Sequence, residues 1–311
     1  MKSLKASKIL SLTIIYIILG VCAIIWVLPF VWLFLQSLSA NELSQSNFAP
    51  PVSEWNLKNY AYILGITIDG RMWPEYADST SSIDAVICPS TGMTYYLTWF
   101  FNTLVLAVIV CIINTMFVMM VAYAMSRFRF KARELLMKLN LVLGMFPGFL
   151  GMIIMYWVMK EIFHLQGTFW ALIFIYCGGS GMGFFVSKGF FDTVSYSIDE
   201  AAMIDGANRA QIFWDIILPL SKPIVVYTIL TAFMSPWGDY ITSSYIIGIQ
   251  NSSNWTIAIG LYKWATDTKN YINYYTRYAA GSVLLAIPLA ILFIATQRYY
   301  VAGVTGGAVK G

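Results

Sequence analysis

The chain has 311 residues, of which 59% are hydrophobic and only 11% carry a charged side chain. A soluble domain carries roughly 25% charged residues, so this composition excludes a water-soluble globular protein and indicates a membrane protein. The formal net charge of +4 is modest and gives no reason to expect a nucleic-acid partner.

Six apolar runs have about the length needed to cross a bilayer, which takes roughly 20 residues. They are residues 9–38, 96–125, 139–159, 169–186, 224–249 and 278–296. The first run is too long for a signal peptide, so we expect a retained helix with a candidate kink at Pro29. The runs predict an all-α membrane protein with six transmembrane helices.

The polar segments between these runs predict four parts of the chain. Residues 1–38 hold a short tail and the first span, and residues 39–96 form an extracytoplasmic loop with short helices around 56–64. Residues 97–300 form a core of five spans that includes a polar loop at 189–222. A glycine-rich tail at 301–311 closes the chain.

The distribution of basic residues predicts the orientation. Residues 1–8, 126–138, 188–222 and 297–311 contain three, five, three and two Lys or Arg residues, which makes 13. The opposite side contains the other 6. Basic residues concentrate on the cytoplasmic side of membrane proteins, so both termini and the polar loop are expected to be cytoplasmic.

The stretch from 197 to 223 predicts two short helices. Ser197 and Glu200 have the spacing of a capping box, and Gly206 can supply a left-handed stop. A second helix then places four apolar side chains on one face: Ile212, Phe213, Ile216 and Ile217. The polar loop is net acidic, which suits a protein partner better than a membrane surface.

No constellation of residues predicts catalysis, a metal site or an ATP-binding phosphate loop. Asp239 is the most notable single residue, because a carboxylate inside an apolar span is costly and often faces a pathway. An equally weighted alternative is that it hydrogen-bonds backbone at a kink. Trp237 and Tyr240 flank it as further candidate pathway residues.

The polar stretch also carries a resemblance to a known family. Glu200-Ala201-Ala202 followed by Gly206 and by Leu218-Pro219-Leu220 resembles the "EAA loop" of ATP-binding-cassette (ABC) importer permeases. Further stretches resemble carbohydrate permeases of the maltose/maltodextrin type, and the likeness extends from about residue 59 to 311. They are Asn59-Tyr60, residues 122–130, residues 254–260 and residues 304–311.

The resemblance implies a type I ABC importer permease in a bacterial cell membrane and not an enzyme. It implies four kinds of partner: a second related permease, two ABC ATPase subunits, an extracytoplasmic solute-binding protein and an oligosaccharide substrate. This chain would bind no cofactor, since ATP and magnesium would sit on the ATPase subunits. It would form half of the translocation pathway.

The resemblance also assigns site residues. The expected ATPase-coupling residues are Ser197, Glu200, Ala201, Ala202, Asp205 and Gly206. The expected contacts to the binding protein are Gln250, Asn251, Ser252, Ser253 and Asn254, a polar and flexible loop whose side chains could compete for sugar hydroxyls. Gly306, Gly307 and Lys310 are expected at the ATPase interface.

Several alternatives stay open at this point. The solute could be trehalose, a galacto-oligosaccharide, an alginate oligosaccharide or glycerol phosphate instead of a maltodextrin. A membrane-embedded enzyme and a passive channel subunit are less favoured. In the maltose system most sugar contacts come from the partner permease, so the direct role of this chain in sugar binding is open.

Overall fold

The computed structural model describes residues 2–39, 48–68, 71–72, 87–145, 147–178, 183–266 and 271–306. Within these residues, three helical segments are long and apolar enough to cross a membrane: Ser11–Ser37, Tyr95–Arg127 and Tyr275–Gln297. Three bent helix pairs also qualify, and counting each pair as one span raises the number to six. The prediction of six spans with cytoplasmic termini stays a prediction.

The described chain divides into two compact units. The first comprises Met1–Ile87 and Leu261–Ile287, and the second comprises Cys88–Gly260 and Pro288–Gly311. Helix α13 (Ile257–Thr266) and helix α14 (Tyr271–Gly306) each contribute residues to both units. The units are described separately below.

The first unit begins with α1 (Lys2–Ser37), a single helix that continues through Pro29. A 3₁₀ turn (Val52–Glu54) and α2 (Lys58–Leu64) follow, and then an antiparallel pair of two-residue strands, β1 (Thr67–Ile68) and β2 (Arg71–Met72). Helix α2 lies within the region where short helices were predicted. The strand pair was not predicted.

Asn59 joins three parts of this unit. Its side-chain nitrogen donates to the carbonyl oxygens of Ser37 and Ser39, both at 3.0 Å. Its side-chain oxygen accepts a hydrogen bond from the hydroxyl of Thr276 at 3.2 Å. One amide side chain therefore connects the end of α1, the start of α2 and the first turns of α14.

The second unit is built around α3 (Tyr95–Arg127), a helix of 33 residues. Its start is capped by Thr94, whose hydroxyl accepts from the amide of Leu97. The other helices are α4 (Arg133–Gly144), α5 (Gly148–Trp157) with a π turn (Val158–Ile162), α6 (Phe169–Gly178), α7 (Gly183–Asp192), α8 (Tyr196–Ile204), α9 (Arg209–Gln211) with a π turn (Ile212–Ile217), α10 (Leu218–Leu220), α11 (Lys222–Gly238) and α12 (Tyr240–Ile247).

Two apolar clusters hold this unit together along α3. One cluster surrounds Leu106 and Val110 and includes Ala171 and Leu172 of α6 and Ile246 of α12. The second lies toward the end of α3. It contains Val118, Met119, Ala122, Tyr123, Phe184, Phe191, Ala202, Ile212, Phe213, Ile217 and Ile224. The second cluster therefore buries α8 and the segment after it against α3 and α7.

Breaks in the helices correct the predicted spans. The predicted run 139–159 falls on α4 and α5, which are bent by 104° near Pro147. The predicted run 224–249 is not one helix, because α11 ends at Gly238 and α12 begins at Tyr240. Proline and glycine near the end of α11 weaken the helix, and Asp239 adopts a non-helical conformation that starts the next one.

Candidate functional site

Helix α8 has well-defined ends, although its start differs from the prediction. The capping box predicted at Ser197 and Glu200 is wrong, because Ser197 lies inside the helix and Ser195 is the N-cap. The Ser195 hydroxyl accepts a hydrogen bond from the amide of Ser197 at 3.3 Å. Ser195 has the non-helical φ of −59° and ψ of 135°, so the helix begins two residues earlier than its sequence pattern indicated.

The end of α8 matches the prediction. Gly206 has a φ of 88°, the left-handed region that glycine adopts at low cost. Its amide donates to the carbonyl of Met203 at 3.1 Å, and the amide of Ala207 donates to that of Ala202 at 2.9 Å. These two bonds form a Schellman motif, which satisfies the last carbonyls of the helix.

A true capping box opens the next helical segment. The side chain of Asn208 accepts from the amide of Gln211 at 2.9 Å, and the Gln211 side chain accepts from the amide of Asn208 at 2.8 Å. The predicted apolar face follows: Ile212 and Ile217 are fully buried and Phe213 nearly so. This stretch is a π turn from Ile212 to Ile217.

A buried ion pair fixes α8 to the end of α3. The Nε atom of Arg127 lies 3.1 Å from the Oδ2 atom of Asp199, and both side chains are essentially inaccessible to solvent. Arg127 also donates from Nη2 to the carbonyl of Val194 at 2.9 Å. Its guanidinium lies 4.4 Å from the ring centre of Tyr196, a cation–π distance.

Further hydrogen bonds surround this ion pair. The Tyr196 hydroxyl donates to the carbonyl of Ser126 at 2.6 Å, and the Ser126 hydroxyl donates to Asp192 Oδ1 at 2.6 Å. Lys188 forms an ion pair with the other Asp192 oxygen at 2.6 Å. The ends of α3, α7 and α8 therefore share one connected network. We name the set Ser126, Arg127, Asp192, Tyr196 and Asp199 the inner joint.

The opposite face of α8 is open. Asp199 and Ala202 are buried, whereas the predicted coupling residues Ser197, Glu200, Ala201, Asp205 and Gly206 are exposed. Apolar side chains are exposed beside them, and Ile204 is 86% exposed. The helix thus presents acidic and apolar groups outward from a firmly held base.

Sequence reasoning missed Asp199 and Arg127, the two residues that anchor the site. Each has a recognisable position in the sequence: Arg127 follows an apolar run, and Asp199 directly precedes Glu200. Their pairing spans more than 70 residues of sequence, and no local pattern indicates a contact of that kind.

Asp239 caps α12 and contacts α6. Its Oδ1 atom accepts from the amide of Thr242 at 2.9 Å, and its Oδ2 atom accepts from the hydroxyl of Tyr176 at 3.0 Å. Trp237 is buried and lies 5.3 Å from the ring centre of Phe100. Tyr240 is the first residue of α12. The backbone hydrogen bond matches the structural alternative, and a pathway role stays a prediction.

The segment Gln250–Asn254 is more constrained than its composition suggested. Residues Ser252–Asn254 form a 3₁₀ turn in which the Asn251 side chain accepts from the amide of Ser253 at 3.1 Å. The indole N–H of Trp99 donates to the carbonyl of Ser252 at 2.7 Å. Capping and backbone hydrogen bonds therefore constrain residues 251–253, and the flexibility predicted for the loop stays a prediction.

Two further side chains complete this outer contact. Asn102 donates to the carbonyls of Ser253 and Trp255 at 2.9 and 3.1 Å, and the hydroxyl of Thr103 accepts from the amide of Ile257 at 2.8 Å. We name the set Trp99, Asn102, Thr103 and residues 252–257 the outer joint.

Cys88 lies beside the outer joint. Its sulfur is 3.0 Å from the Ser90 hydroxyl oxygen and 3.3 Å from that of Ser253. Burial raises the pKa of the Cys88 thiol, and hydrogen bonding by Ser253, Ser90 and Thr91 outweighs this effect and lowers it to about 6.

The predicted tail contacts lie at the limit of the described chain. Helix α14 ends at Gly306. Gly307 and Lys310 lie outside the described residues, so their predicted position at an ATPase stays a prediction.

Comparison with known proteins identifies the family. The model of the family described as "Binding-protein-dependent transport system inner membrane component" matches residues 121–305, which is more than half of the chain. The chain belongs to this family. The matched region contains the inner joint, α8 and Asp239. The inner membrane component is therefore a multi-pass membrane protein and a transporter subunit, not an enzyme, as predicted.

Several relatives of this inner membrane component cover most of its length. It is 38% identical over 219 residues to the maltodextrin transport system permease protein MalD of Streptococcus pneumoniae, matching 70% of this chain and 76% of that protein. It is 36% identical over 217 residues to the galactooligosaccharides transport system permease protein GanQ of Bacillus subtilis, with 70% and 75% covered. It is 34% identical over 220 residues to the maltose/maltodextrin transport system permease protein MalG of Vibrio vulnificus, with 69% and 73% covered.

One solved structure shares the fold of the inner membrane component. It is the crystal structure of a bacterial ABC transporter involved in the import of the acidic polysaccharide alginate. The TM-score is 0.73, the sequence identity is 21%, and the match covers 94% of this chain and 98% of the other. The expected helical fold of an ABC transporter membrane subunit is therefore confirmed in this general form.

Proposed function

We propose that this chain is the permease subunit of an ATP-driven, binding-protein-dependent oligosaccharide importer, with a maltodextrin as the substrate class. The relatives with the highest identities described above are named as permeases for maltodextrin, galactooligosaccharides and maltose. A galacto-oligosaccharide is therefore the second candidate substrate.

The proposed partners are a second related permease, two ABC ATPase subunits and an extracytoplasmic binding protein. In this assembly α8 enters a groove on an ATPase subunit, and ATP and magnesium are bound there and not by this chain. The C-terminal tail with Gly306, Gly307 and Lys310 lies along the same ATPase. The excess of basic residues around the inner joint supports a cytoplasmic position for α8.

One observation carries this proposal: α8 is rigidly held on one face and open on the other. The buried pair Arg127–Asp199 fixes the base, and the exposed face offers Glu200 and Ile204 to a partner. Exposed apolar groups at a firmly capped helix are typical of a protein interaction site. If α8 could rotate freely on its base, movement of the ATPase subunit would not be passed on to α3 and α7.

The proposed mechanism is alternating access. ATP binding closes the two ATPase subunits, and the grooves carry both coupling helices toward each other. Because α8 is fixed to α3 and α7 through the inner joint, these helices move with it. The translocation pathway then opens outward, where the binding protein releases its sugar, and ATP hydrolysis resets the assembly.

The outer loop supplies the proposed contact with the binding protein. Gln250, Asn251 and Asn254 provide amide groups that can compete for sugar hydroxyls. Ser252 and Ser253 contribute backbone carbonyls to the outer joint, which holds these amides in place. A fixed loop loses less entropy on docking than a mobile one.

The substitution Glu200→Lys tests the coupling assignment. In the purified importer with its partner subunits, we expect sugar-stimulated ATP hydrolysis and uptake to fall at least ten-fold, because the charge facing the ATPase is reversed. Glu161→Lys reverses an exposed charge outside α8 and is the matched control. Parental ATP hydrolysis and uptake in Glu200→Lys would contradict the proposal.

A further inference from the structure

A cavity of about 350 Å³ lies in the second unit between four helices. Its walls are formed by residues of α3, α6, α7 and α11. Six of its lining residues carry polar side chains: Asn114, Tyr176, Tyr227, Thr228, Thr231 and Ser235. A polar cavity between apolar helices is unusual, because polar groups in a membrane span are costly and are retained for a function.

The chemistry of the lining favours an uncharged ligand. Among the described residues that line the cavity, none carries a formal charge. The polar groups are hydroxyls and one amide, which match the donors and acceptors of sugar hydroxyls. The aliphatic residues Val118, Ile175 and Val186 and the tyrosine rings offer apolar surface to the C–H faces of a sugar ring.

Asn114 provides the most specific observation. Its side-chain oxygen is buried and has no hydrogen-bond partner among the described residues. A buried polar atom without a partner is destabilising, and a hydroxyl donated by a ligand would satisfy it. Asn114 is on α3 and faces hydroxyl-bearing residues of α11 across the same cavity.

Neighbouring hydroxyls are placed to complement this amide. Thr228 and Thr231 donate to carbonyls of their own helix, at 2.9 Å to Ile224 and 3.0 Å to Tyr227. Each oxygen therefore keeps a lone pair that can accept from a ligand, although that of Thr228 also lies 3.4 Å from the hydroxyl of Ser187.

Asp239 acts on this cavity through Tyr176. The Tyr176 hydroxyl is held by Asp239 at 3.0 Å and lies 3.3 Å from the hydroxyl of Ser243. This contact orients a cavity-lining aromatic ring, and it places a carboxylate behind the wall. That negative charge disfavours an anionic ligand in the cavity.

We infer that this cavity binds the translocated sugar directly, through Asn114 and the hydroxyls of α11, and that it accepts neutral saccharides and rejects acidic ones. The inference rests on the proposed import function and deepens it. On this inference, the subunit contacts the substrate directly, and Asp239 acts by positioning Tyr176.

The test measures sugar held by the assembled importer. The full complex in lipid vesicles, with its loaded binding protein, is trapped with vanadate, and bound radiolabel is counted for maltotriose, galactotriose and a mannuronate trisaccharide. We expect one neutral trisaccharide to be retained and the mannuronate not. Asn114→Leu should reduce retention of the neutral sugar about five-fold, and Ser235→Ala about two-fold, because each removes one hydrogen bond.

Matched controls separate this inference from the proposed function. Thr115→Val changes the next residue of α3, which does not line the cavity, and should retain sugar like the parent. Asn114→Leu and Ser235→Ala should co-purify with the partner permease and the ATPase subunits in the same amounts as the parent, which shows that they assemble.

Each other outcome counts against a defined claim. If the parent transports a neutral sugar but Asn114→Leu and Ser235→Ala retain it unchanged, the cavity assignment is overturned and the import function stands. Retention of the mannuronate, or of no trisaccharide, also overturns the cavity assignment. If no sugar stimulates ATP hydrolysis in the parent, the proposed function fails, and the cavity inference fails with it.

Discussion

The two ends of helix α3 hold two different segments by different means. At one end the inner joint fixes α8 through the buried ion pair of Arg127 and Asp199. At the other end the outer joint fixes residues 252–257 through neutral hydrogen bonds from Trp99, Asn102 and Thr103. One helix of 33 residues, about 50 Å long, therefore joins the proposed ATPase contact to the proposed binding-protein contact.

The two kinds of contact differ in how strongly the loss of one partner destabilises them. A buried ion pair adds little net stability, but breaking it leaves an uncompensated charge and is strongly destabilising. It therefore enforces one arrangement of α8. Neutral hydrogen bonds each contribute about 1 kcal/mol, so losing one weakens the outer joint without abolishing it. We therefore expect that removing one partner of the ion pair disrupts the inner joint completely, whereas removing one hydrogen bond only weakens the outer joint.

Arg127→Leu should have the largest effect. It leaves Asp199 buried and unpaired and should destabilise the protein by about 3–5 kcal/mol. Thermal unfolding of the full-length protein in detergent would measure the loss, and uptake should be abolished.

The double variant Arg127→Leu with Asp199→Leu is the matched control. It removes both charges, so most of the lost stability should return. An Arg127→Leu protein that melts like the parent would show that the buried pair does not hold α8.

Gly260→Ala should have the next largest effect and tests the outer joint. A Cβ atom at Gly260 would overlap with the buried ring of Trp99. Overpacking of this kind costs about 1–3 kcal/mol, and here it would displace the indole that holds Ser252. We expect a lower unfolding temperature and reduced uptake with near-normal basal ATP hydrolysis. Gly189→Ala, in open space on α7, is the control and should match the parent.

Gly206→Ala should weaken the end of α8. The φ of 88° at this position costs a non-glycine residue about 1–2 kcal/mol. Coupling of ATP hydrolysis to uptake should fall more than overall stability, because the strain is confined to the exposed end of the helix. Gly206→Asn should fall between the parent and Gly206→Ala, since asparagine tolerates this conformation. Equal coupling in all three proteins would contradict this account of the helix stop.

Trp99→Phe should have the smallest effect. It keeps most of the buried ring and removes the hydrogen bond from the indole N–H to Ser252. The expected loss is about 1 kcal/mol of stability. Uptake should fall two- to five-fold, while the unfolding temperature should change less than in Gly260→Ala. A loss as large as that of Arg127→Leu would remove the contrast between the two joints.

The sequence indicated local features of this site better than its long-range contacts. The left-handed Gly206, the apolar face from Ile212 to Ile217 and the short helix near Asn59 follow from nearby residues. The start of α8 was misplaced because Ser195 and Ser197 are both acceptable N-caps, and the local sequence does not choose between them. Contacts such as Arg127–Asp199 and Trp99–Ser252 join residues far apart in sequence, and they depend on how the helices pack.

The same limit applies to the apolar runs. A continuous run from 224 to 249 does not reveal that its helix ends at Gly238, because the decisive feature is Asp239 capping α12 and bonding to Tyr176. The residues beyond Gly306 lie outside the described part of the chain, so their predicted position at an ATPase rests on the sequence alone.

The central claim is that the exposed face of α8 docks on an ATPase subunit, and cross-linking from Ile204 tests it most directly. A photoreactive phenylalanine analogue replaces Ile204, which is 86% exposed, in the purified importer with its partner subunits. The matched control places the same analogue at Ile294 of α14, an exposed position on a candidate membrane span. The account predicts a cross-link from position 204 to the ATPase subunit and none from position 294. Absence of an ATPase cross-link at 204, in an assembly that hydrolyses ATP, would contradict it.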